Sequence, residues 1–283
     1  MKSKFKKAVY KLCIATVGNL LVFLKPEKAK QLAEEGLTIV NNSNTMSISE
    51  RLMRGAILKK LEKNQDYNNL EELHKKYWSN KGSVFFQETE SSFEKEFLPN
   101  CAFIFDELEK NLFNTPIQYT TLVEIGTGNG RVLEYLCSKF PKVTHFIGID
   151  LSPAQIDINS KKYKNNPKME FVATDGFDWV KEHGTSNTIF VTSRGVLEYF
   201  TEKRLQAFFN YANTLGKTIF IAIEPKGIEH DFAKNNGSQP YGYERSFSHN
   251  YELLFKNAGF DVWHLSYKPL DDLALMGFIG AAN

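Results

Sequence analysis

Cysteine is scarce in this chain: Cys13, Cys101 and Cys137 are the only three, far apart and odd in number. No C-x-x-C pair occurs, so neither a disulfide framework nor a zinc ribbon can be drawn, and reduced thiols in a cytoplasmic setting are expected. Acidic residues are missing from the first 25 positions, which hold Lys2, Lys4, Lys6, Lys7, Lys11 and Lys25 and carry +6. With those six removed from its 35 basic residues, the chain keeps 29 against 33 acidic ones. A mildly acidic body excludes the extended cationic face that nucleic-acid binding requires. Long apolar runs are missing too. Ala8 to Leu24 is mostly apolar but broken by Lys11, Thr16, Gly18 and Asn19. As a helix it extends about 25 Å, short of the ~20 residues a bilayer span needs. Lys25-Pro26-Glu27-Lys28 offers no signal-peptide cleavage site. The segment reads either as a helix packed on the domain or as an interfacial helix with its lysines on anionic head groups. Repeats and low-complexity tracts are absent.

What is present centres on Leu122-Val123-Glu124-Ile125-Gly126-Thr127-Gly128-Asn129-Gly130-Arg131. An apolar β-type run ends in an acid and three glycines, and a helical segment follows. Without a Cβ the chain can turn sharply and let a ligand approach its backbone, and the next helix presents free N–H groups there. A second apolar run, Phe146-Ile147-Gly148-Ile149, ends in Asp150, 20 residues past Gly130. That position suits a carboxylate accepting hydrogen bonds from a ribose diol. A third run ends at Asp175, followed by Gly176-Phe177; a fourth leads into Ser193-Arg194-Gly195 and a fifth into Glu224-Pro225. Strands alternating with helices predict a doubly wound, mostly parallel sheet. Near-continuous apolar strands such as Ile219 to Ile223 fit burial on both faces.

The G-x-G-x-G spacing resembles the first motif, E/D-x-G-x-G-x-G, of the class I S-adenosylmethionine-dependent methyltransferase family. The resemblance covers roughly residues 120–283. It implies a Rossmann-like, seven-stranded sheet with an antiparallel last strand, the final pair being Phe260 to Tyr267 and Leu273 to Ala281. It also implies S-adenosylmethionine as cofactor and S-adenosylhomocysteine as product. Glu124, Gly126, Thr127, Gly128 and Gly130 would form the turn for the amino-acid portion. Asp150 with Leu151 would take the ribose, Asp175 with Gly176 and Phe177 the adenine, and Ser193 would complete the strand-end edge. Glu124 would support the turn or meet the methionine ammonium. A nicotinamide-dependent oxidoreductase is disfavoured by the glycine spacing; a binding protein that has lost transfer activity remains the alternative.

Three divisions are expected: residues 1–25 as a basic, apolar helix, 26–116 as a helical extension, and 117–283 as the cofactor-binding domain. Family members often carry such an extension as a lid, so some of Tyr77, Trp78, Phe85 and Phe86 are expected to face the pocket. Polar breaks are expected at 41–44 and 64–66. Ser91-Ser92-Phe93-Glu94 has the S-x-x-E form of a capping box. Ser152, Pro153 and Gln155 suit the start of another helix, and Glu202 to Leu215 carries Leu205, Phe208, Phe209 and Ala212 on one face. Ala258-Gly259 reads as a C-cap.

After Glu224 the rhythm fails for about twenty residues, and the segment is rich in donors, acceptors and rings. Catalytic candidates are His249, Glu224 and His230; substrate candidates are Arg194, Tyr241, Tyr243, Arg245 and Trp78. Arg194 would pair with an anionic substrate group or with Glu198. Displacement at a sulfonium methyl needs alignment and water exclusion, and a base only when the nucleophile must lose a proton. The Asp/Asn-Pro-Pro-Tyr motif of nucleic-acid amino-methyltransferases is replaced here by Thr192-Ser193-Arg194-Gly195-Val196-Leu197. That wording resembles small-molecule methyltransferases. No metal triad can be placed, and a small-molecule or lipid-like acceptor, with oxygen favoured as the acceptor atom, is expected.

Overall fold

The computed structural model describes residues 2–38 and 46–283, with side chains from Ala8 onward. The expected break at 41–44 and the side chains of Lys2, Lys4, Lys6 and Lys7 lie outside the described residues. The chain forms two units: Met1–Asn80 with Pro240–Ser246, and Lys81–Gln239 with Phe247–Asn283.

In the second unit, alternate residues of the central strands feed two separate cores. The strands are β1 (Thr121–Ile125), β2 (His145–Asp150), β3 (Met169–Ala173), β4 (Thr188–Ser193) and β5 (Thr218–Gly227). Two short strands, β6 (Gln239–Tyr241) and β7 (Ser246–Ser248), begin and end the stretch 240–246 that belongs to the first unit, and β8 (Asp261–Pro269) and β9 (Ala274–Ala282) follow in the second. Seven of them form one sheet in the order β3-β2-β1-β4-β5-β9-β8. β1 pairs in parallel with β2 and β4, whereas β9 runs antiparallel to β5 with Phe220 opposite Ala281. This is the doubly wound, mostly parallel sheet with a terminal antiparallel pair that the sequence predicts.

One face buries Val123, Phe190, Phe220 and Ala222 against Leu205, Phe208, Phe209 and Ala212 of α11 (Glu202–Thr214) and Phe255 of α12 (Tyr251–Asn257). The other buries Leu122, Ile189, Val191, Ile219 and Ile221 against α7 (Phe103–Phe113) and α8 (Arg131–Lys139). Because Ile104, Phe105 and Leu108 of α7 belong to the sheet's own core, the predicted boundary at 116 moves back. The two units divide inside α5 (Tyr67–Glu88) instead.

Helix starts follow their caps. α9 (Pro153–Lys162) opens with Ser152 Oγ accepting from Gln155 N at 3.3 Å and Pro153 in the first turn. α10 (Gly176–His183) is capped by Asp175 and α12 by Asn250. Ser91 does not cap as its S-x-x-E pattern predicts. Phe93–Phe97 is a π-helical turn leading into α6 (Leu98–Cys101), with Pro99 in the first turn of α6 rather than breaking a helix. The physical reason is that the Glu94 carboxylate pairs with Arg131 at the start of α8. The capping box lies in the other unit, where Ser47 and Glu50 exchange side-chain and backbone bonds at 3.2 Å.

That first unit contains α1 (Lys2–Cys13), a π-helical turn (Ile14–Gly18), α2 (Asn19–Leu24), α3 (Pro26–Glu35) and α4 (Ile48–Lys63). It also holds residues 67–80 of α5. Leu37 N donates to Leu73 O at 2.9 Å and Arg54 Nη1 to Gly36 O at 3.1 Å. The returning residues 240–246 are tied in through Glu244, whose carboxylate accepts from Thr38 Oγ1 at 2.5 Å. The Glu244 carbonyl lies 2.9 Å from His74 Nε2, and burial pushes His74 down to about 4.

Candidate functional site

The strand order reverses between β1 and β4, and ligands of open α/β sheets bind beyond the strands' carboxyl ends at such a reversal. The glycine turn lies there. Gly126 N and Thr127 N both donate to Ile149 O, at 2.8 and 2.9 Å, which folds the chain over the end of β2. Gly128 has φ 51°, a left-handed conformation that a Cβ would strain, and a Cβ there would meet Phe86 Cε1 at 2.8 Å. The Phe86 ring is therefore packed on the turn.

Asp150 closes the turn from the opposite side. Its Oδ2 accepts from Gly128 N and its Oδ1 from Ser152 N, each at 3.0 Å. The Gly128 carbonyl accepts from Asn159 Nδ2 at 2.7 Å, and Gln155 Nε2 donates to Asn159 Oδ1 at 2.9 Å. Asn159 and Gln155 are buried and were not legible as site residues; only their common face on α9 hints at them. Burial pushes Asp150 up to about 6, opposed by the backbone N–H groups it accepts from. Leu151 between Asp150 and Ser152 is partly exposed.

Glu124 is wholly buried beneath the turn. Thr127 Oγ1 and Ser193 Oγ donate to its two oxygens at 2.7 Å each, tying the ends of β1 and β4 together. Burial pushes it up to about 7. Its geometry is that of a turn support.

Asp175 Oδ1 accepts from Phe177 N at 3.0 Å, from Asp178 N at 3.2 Å and from Arg204 Nη2 at 2.5 Å. The Arg204 guanidinium also lies over the Phe200 ring, 4.6 Å from its centre, and the Phe177 ring stacks on Phe208 at 5.2 Å. Arg204 is a second residue the sequence left hidden, since its partner lies on another element. Gly176 opens α10 directly behind Asp175.

The three residues expected to be catalytic are all buried. Glu224 is wholly buried, and its carboxylate accepts from Val196 N and Leu197 N at 3.0 and 3.1 Å, holding the loop after β4. Burial pushes it up to about 7. His230 Nε2 donates to Asn235 O at 3.0 Å, so its Nδ1 accepts from Ser248 Oγ at 2.9 Å. His249 is buried with Nδ1 2.6 Å from Ser238 Oγ, and burial pushes it down to about 3. Glu224 and His230 are thus satisfied by backbone and hydroxyl partners, whereas His249 Nε2 is buried without a hydrogen-bond partner.

Of the predicted substrate residues, Arg194 adopts φ 64° and pairs with Glu96 at 2.6 Å, where Glu198 or a substrate anion was expected. Trp78, Tyr241, Tyr243 and Arg245 belong to the first unit. There Arg245 pairs with Glu62 at 3.1 Å, Tyr243 meets Tyr10 edge-on at 5.4 Å and Trp78 meets Tyr77 at the same distance. No group of three or more potential metal ligands occurs among the described residues.

A family profile described as a methyltransferase domain matches residues 122–218, from the start of β1 to the start of β5. Over those residues the chain is similar to that methyltransferase-domain family, and its sheet has the seven-stranded order of the class I methyltransferase fold. No curated protein matches the sequence. Among solved structures, an S-adenosylmethionine-dependent methyltransferase from Clostridium acetobutylicum superposes with TM-score 0.51 at 13% identity, covering 69% of this chain and 98% of that one. A putative sarcosine dimethylglycine methyltransferase from Galdieria sulphuraria also gives 0.51, at 10% identity, covering 67% and 87%. At such identities these neighbours speak for the methyltransferase fold.

Proposed function

We propose that the second unit binds S-adenosylmethionine at the β1–α8 turn and transfers its methyl group to a small-molecule or lipid-like acceptor. One observation carries this reading: the Gly128 N–H donates to Asp150, so glycine turn and strand-end acid form one rigid cradle. The donor set fits the cofactor. An acid with spare lone pairs stands where a ribose diol would donate, and a left-handed glycine lets the chain turn sharply beside it. When bound, the cofactor supplies a methyl group activated on a sulfonium.

The chain's own residues then position and shield. Asp150 accepts from the ribose hydroxyls while Ser152 N and Gly128 N hold its oxygens in place. Glu124 locks Thr127 and Ser193, which keeps the turn and the β4 end in register. Asp175, fixed by Arg204, marks the adenine end. Glu224 holds the loop that closes the β4 side. Alignment and water exclusion are what such a displacement needs most. Three unpaired thiols support a reducing, cytoplasmic compartment.

Calorimetric titration with S-adenosylmethionine, S-adenosylhomocysteine and NADH tests the cofactor. Binding of the first two that Asp150→Ala weakens at least tenfold, about 1.4 kcal/mol, is the expected result. Binding of NADH alone contradicts it. Binding without S-adenosylhomocysteine release across alcohol, amine and carboxylate acceptors removes the transfer step and leaves a binding protein.

A further inference from the structure

The segment from Ala8 to Leu24 has two unlike faces within the first unit. On one, Ile14 and Gly18 pack against Leu52 and Ala56 of α4. A Cβ on Gly18 would lie 2.5 Å from Leu52 O, so the two helices cross at a separation only glycine permits. That close crossing fixes which way the segment faces. Exposed on it are Val9, Leu12, Val17, Leu20, Phe23 and Leu24, with Leu12 at 63% and Phe23 at 79%. A run of large apolar side chains in water marks a contact surface.

Two further features say what it contacts. Thr16 and Asn19 are exposed, yet Thr16 Oγ1 donates to Leu12 O and Asn19 Nδ2 to Ala15 O, each at 2.8 Å. Polar groups already bonded to their own helix cost little in an apolar medium. Lys11 and Lys25 are exposed. The sequence adds Lys2, Lys4, Lys6 and Lys7 with no acid before Glu27. No single described helix is long and apolar enough to cross a bilayer, and Pro26–Glu35 turns away from Ala8–Leu24 by 104°.

We propose that residues 8–24 lie in the plane of an anionic lipid bilayer surface. Phe23 and the leucines enter the acyl boundary, and the lysines rest on lipid phosphates. A second copy of this chain fits the face poorly, because a two-fold contact would set one +6 segment against another. The inference goes beyond methyl transfer and stands without it.

The test uses the full chain, co-sedimented with phosphatidylcholine vesicles with and without phosphatidylglycerol. Each lysine near an anionic surface is worth about fivefold in partitioning, so omitting phosphatidylglycerol should cost well over tenfold, and high salt should weaken binding. Substituting Leu20→Ser, Phe23→Ser and Leu24→Ser together should also cost more than tenfold. Phe113→Ser, at a side chain 89% exposed in the other unit, should leave binding unchanged. Thermal unfolding and S-adenosylhomocysteine titration of every variant separate a folding defect, or failure of the methyltransferase reading, from loss of lipid binding. No binding to either vesicle, equal binding to both, or unchanged binding by the triple variant overturns the proposal. So does a dimer that the triple variant dissolves while vesicles capture nothing.

Discussion

Replacing Asp150 by asparagine separates what this carboxylate does for binding from what it does for folding. At pH 8 the group is ionised although burial has pushed it from 3.8 up to about 6. Holding the charge there costs the folded state about 3 kcal/mol. Asparagine avoids that cost, but its NH2 faces one of the two N–H groups, of Gly128 and Ser152, that now donate to the carboxylate at 3.0 Å. One buried donor left unmet costs about 1–3 kcal/mol. The two effects largely offset, so Asp150→Asn should unfold in urea at pH 8 with a free energy equal to the parent's or up to about 2 kcal/mol larger. Binding has no such compensation. A ribose diol loses a charged acceptor worth about 1.5–3 kcal/mol, roughly 10- to 150-fold in Kd for S-adenosylhomocysteine. Calorimetry and urea unfolding of the same preparation read both quantities. An asparagine variant that is stable and binds within threefold of the parent refutes the ribose role. One that loses most of its stability shows the acid to be structural.

The other predictions rest on the same cradle and on the core behind it. Burial raises Glu124 and Glu224 from 4.5 to about 7 and Asp150 to about 6, so the folded chain holds these protons to higher pH than the unfolded one. Their contribution to stability is full below about pH 4 and is lost as pH rises through 6 to 7. Urea unfolding should therefore give a larger free energy at pH 5 than at pH 8, by a few kcal/mol; the reverse order contradicts the placement of these acids. Gly128→Ala adds a Cβ at φ 51° and against Phe86, so it should lower thermal stability by about 1–3 kcal/mol and weaken S-adenosylhomocysteine binding more than tenfold. Phe209→Ala, at a fully buried ring stacked on Phe255 at 4.0 Å, should cost about 3–5 kcal/mol in urea unfolding.

Much of the sheet was legible because each of its strands is a local pattern. Ile219 to Ile223 reads as buried on both faces, and Ser152 with Pro153 marks the start of α9 without help from the rest of the chain. The glycine turn and Asp150 were legible for the same reason, each lying where an apolar run ends. What stayed hidden depends on distant partners. Glu94 looks like a capping residue until Arg131, 37 positions on, takes its carboxylate. Arg204 and Asn159 are ordinary helix residues in sequence and become site supports only when β3 and the glycine turn are brought to them. The burial of His230 and His249 could not be read from so polar a segment. Residues 240–246 could not be assigned to the first unit, since the Thr38–Glu244 bond closes a separation of 206 positions.

A crystal structure of the protein with S-adenosylhomocysteine tests the central claim most directly. Both ribose hydroxyls should lie within about 3 Å of Asp150, the amino-acid portion over Gly126 to Gly130, and the adenine beside Asp175 and Phe177. A ligand bound elsewhere on the second unit, with the Gly128–Asp150 cradle empty, would contradict it.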